Sequence, residues 1–174
     1  MIGHGLHDFY TIKDAEPDAN GFIEATLIPL AGMVVFPNMV TPLALQRDVD
    51  IAAVGEAQSR RETVIGVLVR NAEETTFAPE GLYALGTEMA LGRWLHLPDG
   101  GTSVLAQGRR RVEIAEFVQT TPYFRVRARP IAEESPDTRE VTALMRAALS
   151  LFQKCVDLSP QLPEEVYVYA LNID

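Results

Sequence analysis

Apolar and polar positions change rhythm several times along this chain, and each rhythm predicts an element. Thr26-Leu27-Ile28-Pro29-Leu30 predicts a short strand, its proline marking an edge or an end. Gly32 to Met39 is an apolar loop, and a second short strand follows near Val40 to Leu45. An Asp at 48 or 50 can cap a helix running to about Arg60, with Ile51, Val54 and Ala57 near one face. Val64 to Val69 is a continuous apolar run rich in β-branched residues, the pattern of a strand buried on both faces. A polar stretch from Asn71 to Gly81 leads to a strand over about Ala84 to Leu97, where Met89, Leu91, Leu95 and Leu97 share a face. Leu97-Pro98-Asp99-Gly100-Gly101 predicts a turn, because proline presets φ, Asp bonds its own backbone and glycine accepts positive φ. The chain then returns along Thr102 to Phe117, kinked by a bulge at Gly108, and turns again at Thr120-Thr121-Pro122 into a strand Tyr123 to Ile131.

The rhythm changes to helical after Glu133. Pro136 suits a first helical turn, and Val141, Leu144, Met145, Ala148, Phe152, Cys155 and Val156 then fall on one apolar stripe. That helix stops before Ser159-Pro160, and Pro163-Glu164-Glu165 opens another carrying Val166, Tyr167 and Tyr169. The expected organisation is therefore an acidic, disordered leader over 1–25, a β-rich subdomain over 26–133, and the truncated first part of a helical subdomain over 134–174.

Composition narrows what these elements can do. With 174 residues, 47% apolar, the chain can hold a core without disulfides or metal. Its net charge of −9 disfavours non-specific contact with nucleic acid or an anionic membrane. Neither of its lysines, Lys13 and Lys154, follows a glycine-rich loop, so the phosphate-cradling ATPase motif is missing. No apolar run approaches a membrane span, the first ten residues lack a targeting pattern, and the lone Cys155 fits a reducing, cytoplasmic compartment.

Candidate catalytic chemistry is thin. Ser150 and Lys154 lie one helical turn apart, but on the polar face, where nothing desolvates the lysine or supplies an oxyanion hole. Cys155 sits on the apolar stripe and is expected to be a small core residue, with His96 its one candidate partner outside the leader. His4, His7 and Asp8 fall short of the three or four ligands that zinc takes from a rigid frame, so no metal site and no catalytic residue is expected.

Two binding features remain. Between residues 93 and 129 there are seven arginines against three acids, with Arg109, Arg110 and Arg111 adjacent and Arg125, Arg127 and Arg129 alternating onto one face. They form either a docking surface for acidic partners, through Arg109, Arg111, Arg125, Arg127 and Arg129, or the polar side of a sheet paired with nearby acids. The second feature is the apolar loop with Met33, Phe36 and Met39, considered together with Trp94 and Leu97. Composition favours burial for Phe36 and leaves the methionines open.

Ile28-Pro29-Leu30-Ala31-Gly32-Met33-Val34-Val35-Phe36-Pro37-Asn38-Met39-Val40-Thr41-Pro42-Leu43 resembles the opening of the Lon protease N-terminal domain. Leu85-Gly86-Thr87, Leu97-Pro98-Asp99-Gly100, Gly108-Arg109-Arg110-Arg111, Pro163-Glu164-Glu165 and Leu171-Asn172-Ile173-Asp174 continue the likeness, which covers residues 27–174 in order and spacing. Ala31 departs where the family usually has arginine, Gln46 where it has glycine, and the leader has no counterpart.

The resemblance implies an α+β fold: a compact β-rich, PUA-like subdomain with one helix, then the start of a helical subdomain. It implies a non-catalytic part of an ATP-dependent Ser–Lys protease, one that selects unfolded or damaged proteins and helps other Lon subunits assemble as a hexamer. ATP and Mg would belong to an ATPase region outside these residues, so no cofactor is expected here. On that reading Met33, Phe36, Met39, Trp94 and Leu97 supply adaptable apolar contacts to substrates, and the arginine face assists. The alternatives are a stand-alone Lon-like adaptor module and a PUA-like RNA-binding domain. RNA binding lacks the lysines and stacking aromatics that usually accompany it.

Overall fold

Strands dominate wherever β-branched and apolar residues run together or alternate. The computed structural model describes residues 12–73, 76–96, 101–132, 138–163 and 165–171, the side chains of His96 and Tyr169 excepted. In chain order the elements are β1 (Ile23–Leu30), β2 (Val40–Leu45), α1 (Asp48–Arg60), β3 (Val64–Val69), β4 (Leu82–His96), β5 (Thr102–Gln119), β6 (Phe124–Pro130), α2 (Arg139–Leu158) and α3 (Glu165–Leu171). They fall into two compact units, one up to Ala132 and one from Glu133 onward.

In the first unit the described strands order as β2-β5-β4-β3-β1-β6, and β6 returns to pair with β5. Five strands thus close on themselves and leave β2 as the edge. β1 and β3 are parallel, with β2 and α1 forming the crossover that a parallel pair needs. The long β5 serves two partners: its first part carries β2 from Thr102 to Gln107, and its last part carries β6 from Val112 to Gln119. Pro42 sits on edge strand β2, where a missing N–H is tolerated.

β1, β3, β4 and β5 each feed two cores, while β6 feeds one and turns its arginines outward. Ile23, Ala25, Leu27, Ile65, Val67, Val126 and Ala128 belong to one core. Ile28, Leu30, Val64, Met89 and Val104 belong to the other, which α1 covers with Ala53, Val54 and Ala57. β3 is apolar throughout for this reason: Ile65 enters one core and its neighbour Val64 the other.

Two local expectations change. Asp48 lies in the first turn of α1 and Arg47 is the N-cap residue, without a side-chain cap. Asp50 instead accepts two hydrogen bonds from the Arg47 guanidinium, so the acid stabilises the helix start by pairing with the residue before it. The expected disordered leader is corrected from Ile12 onward. β1 already begins at Ile23, because Ile23 and Ala25 continue the buried alternation of Leu27. Residues 12–22 are held by their own hydrogen bonds and ion pairs, and residues 1–11, including His4, His7 and Asp8, lie outside the described residues.

In the second unit, α2 is capped by Thr138, whose hydroxyl accepts the Val141 N–H at 3.2 Å. Of its apolar stripe only Val156 is buried, while Leu144 and Met145 are exposed, as are Leu151 and Leu158 beside it. Cys155 is likewise exposed, which corrects the expectation of a core thiol: its stripe meets only the short α3 within this unit. Ser150 and Lys154 are both exposed, as the polar face requires.

Candidate functional site

The apolar loop between β1 and β2 is fixed by its backbone and offers its side chains. Gly32 and Asn38 both take positive φ, 73° and 63°, which turns the chain at each end of the loop. Val35 is the residue that enters the core, and its carbonyl accepts the buried Thr87 hydroxyl at 2.6 Å. Asn38 N–H donates to the Gly108 carbonyl at 3.0 Å, and Gly108 N–H donates to the Met39 carbonyl at 2.9 Å. The β4–β5 register shifts at this point, with Glu88 opposite Arg110 and Met89 opposite Gly108, in keeping with the bulge expected there.

Burial of Phe36 is therefore corrected. Its backbone lies directly on Gly108 and Val35 takes the inward position, so the Phe36 ring turns out and is 55% exposed. Val34 and Met39 are exposed as well. Phe36 and Val34 form one wall of a groove of about 230 Å³, facing Leu68, Tyr83 and Leu85. On β3 and β4 the face bearing Val64 and Met89 is buried beneath α1, and the same face continues uncovered to Leu85, which is 59% exposed. Gly66 and Gly86 pave the floor, and a Cβ on either would collide with atoms at 2.6–2.8 Å. Arg111 is the one charged residue among the described lining side chains.

The other expected contact residues are not gathered there. Met33 packs against the α1-side core and lines a second cavity of about 420 Å³, together with Phe77, Arg47 and Asp50. The Arg47 guanidinium lies 4.6 Å over the Phe77 ring at that cavity. Trp94 is half-buried against the same core and pairs with Val104, four residues along β5 from Gly108, about 13 Å of strand. Leu97 lies outside the described residues. Tyr83, Leu85 and Leu68 escaped the sequence reading. Their signal was the alternation of Tyr83 and Leu85 with Thr87 and Met89, which reads as core for all four.

The arginine face is populated by this chain's own acids. Arg125 bonds Glu24 at 3.0 Å, and Arg127 bonds Asp18 at 2.9 Å and Glu116 at 3.0 Å. Arg109 stands 3.6 Å from Asp14, and the Arg127 and Arg129 guanidinium groups each lie 4.7 Å from the Phe22 ring. Donating to Glu116 and then to Asp18 raises the Arg127 pKa further. Arg109, Arg125 and Arg127 are thus paired with acids of this chain. Among the described residues no cluster of His, Cys, Asp and Glu is arranged to hold a metal ion, and no helix is long and apolar enough to cross a membrane.

Known proteins of similar sequence and shape agree on one family. The chain is 36% identical over 152 residues to Lon protease 2 of Herpetosiphon aurantiacus, covering 87% of this chain and 19% of that protein. It is 35% identical over 147 residues to the Lon protease of Dictyoglomus thermophilum, covering 84% and 18% respectively. It thus spans about a fifth of the length of these relatives. The fold matches the N-terminal domain of a Mycobacterium avium complex Lon protease with a TM-score of 0.67 at 19% identity, covering 86% of this chain and 75% of that one. A Lon N-terminal domain protein from Xanthomonas campestris matches with a TM-score of 0.57 at 18% identity, covering 87% and 90%. The family model for the ATP-dependent protease La (LON) substrate-binding domain matches residues 24–174, and the chain belongs to that family.

Proposed function

We propose that this chain recognises protein substrates for an ATP-dependent Lon protease, capturing exposed apolar segments of misfolded or regulatory proteins, and contributes to the assembly of Lon subunits. The observation that carries the reading is the groove in which Val34, Phe36, Tyr83 and Leu85 stay exposed beside Leu68 on a rigid sheet. Exposed apolar side chains gathered on one patch mark interaction sites. A selector of unfolded chains needs contacts that are apolar, shallow and tolerant of sequence, and a groove with one charged lining residue supplies them. Each contact is weak, so several copies on one assembly would raise the effective affinity by avidity, on the order of a hundredfold. Recognition of this kind calls for no cofactor.

Binding of a reduced, carboxymethylated model protein to the chain tests the proposal. The Phe36→Ser, Leu85→Ser double variant is expected to weaken binding about tenfold or more, while Trp94→Phe leaves it unchanged. Equal affinity of the double variant and the unaltered chain would sink the groove as the contact site.

A further inference from the structure

Ile12 to Glu16 pairs with no strand, yet the N–H and the carbonyl of Ala15 are both gripped. Its N–H donates to Glu88 Oε1 at 2.7 Å, and its carbonyl accepts from Arg110 Nη2 at 2.5 Å. Glu88 is fully buried; Oε1 also accepts the Thr63 hydroxyl and Oε2 accepts Arg110 Nε, both at 2.6 Å. Arg109 adds the Asp14 carboxylate at 3.6 Å and the Ile12 carbonyl at 3.4 Å. The Ala15 side chain is half-buried against the barrel core. The set reads an extended backbone at one residue, a small side chain on it, and a negative charge just before it.

Lys13, Asp14, Glu16 and Pro17 are all exposed, so this segment opens locally at lower cost than the strands beneath it. Opening leaves a buried carboxylate oxygen without its N–H donor, and another extended backbone can satisfy it. We propose that Glu88, Arg110 and Arg109 form a binding site for an extended polypeptide segment in which an acidic residue precedes a small one. This chain's own Asp14-Ala15 occupies the site, so the N-terminal segment competes in cis with such segments from other proteins. A tethered occupant acts at an effective concentration in the millimolar range, on the order of what short linkers give, so outside segments enter when the tether is loosened. The site is independent of the apolar groove.

The test uses a fluorescein-labelled peptide of residues 12–20 and the full chain carrying Ala15→Pro, which removes the N–H that Glu88 accepts. Anisotropy is expected to show the peptide binding this variant at least about tenfold more tightly than the unaltered chain, and Glu88→Gln added to the variant, which keeps an oxygen but loses the charge that holds Arg110, is expected to reduce the gain. Equal binding to variant and unaltered chain, both folded by circular dichroism, overturns the proposal. So does a dimer of the variant in sedimentation, with segments exchanged between copies. Should the variant fail to fold, amide exchange in the unaltered chain decides. Exchange at Ala15 faster than in β3 and β5 supports a segment that opens, and exchange at the rate of those strands overturns it.

Discussion

Gly108 lies so close beneath Phe36 that a Cβ on it would stand 2.1 Å from the Phe36 carbonyl oxygen. Backbone, not a flexible side chain, fills that space, so the loop must move if Gly108 acquires a side chain. Gly108→Ala is expected to cost about 1–3 kcal/mol, in the range of overpacked interiors. It should also weaken capture of an unfolded protein, because the Asn38 and Met39 bonds that hold the groove wall run to the same residue. Urea denaturation and the binding assay check both parts; a variant of unchanged stability would show that the contact is not tight.

Glu88 predicts a different loss. Truncation to Ala removes the acceptor for Thr63, for Ala15 and for Arg110 at once. Breaking a fully buried ion pair costs about 3–5 kcal/mol, but the Arg110 side chain is 29% exposed and water can take it up, so about 2–3 kcal/mol is expected. For a chain of this size that is a fall of roughly 5–10 °C in melting temperature, measurable by calorimetry. Amide exchange over residues 12–16 should rise more than over β1.

Val64 to Val69 is legible in the sequence because burial on both faces requires apolar residues at every step, a local property of the letters. The kink at Gly108 is legible for a similar reason, since glycine within a long strand signals a close approach. The exposure of Phe36 is not local. It depends on Gly108, far along the chain, occupying the space on which the loop backbone rests. Leu85 is hidden in the same way: its alternation with Met89 is that of a core residue, yet it belongs to neither buried cluster and is 59% exposed. The ordered segment over 12–22 escapes composition altogether, because its acids look solvated until the arginines of β5 and β6 are placed opposite them.

Tyr123 links the β6 entrance to α1 by donating its hydroxyl hydrogen to Glu56. That bond, then desolvation and the Glu56 charge, raise its pKa above the ordinary 10.0. A phenol whose pKa is higher folded than unfolded contributes stability that is present below pH 10.0 and lost as pH rises through the folded value. Ultraviolet titration of the unaltered chain and Tyr123→Phe should isolate one tyrosine ionising above 10.0, and Glu56→Gln should bring it down. A Tyr123 that ionises at or below the ordinary value would contradict the bond.

Asp18 makes the opposite prediction at the acid end. Its Oδ1 accepts the Phe22 N–H at 3.0 Å and the Asn20 N–H at 2.8 Å, closing a turn in which Gly21 takes a φ of 79°. The Phe22 N–H lowers its pKa most; desolvation opposes, and the Asn20 N–H and Arg127 add to the lowering, leaving it below the ordinary 3.8. A carboxyl with a lower folded than unfolded pKa contributes stability that is present above 3.8 and lost as pH falls through the folded value. Because the group is exposed, the loss is local to the turn rather than to the barrel. Followed by NMR from about pH 6 to about pH 2, the Phe22 amide resonance is expected to shift with a midpoint below 3.8. Asp18→Asn keeps an oxygen for both N–H groups but does not titrate, so in that variant the shift should vanish. A midpoint at or above the ordinary value, or a shift that survives in Asp18→Asn, would place the titrating group elsewhere and remove Asp18 as the lock of this turn.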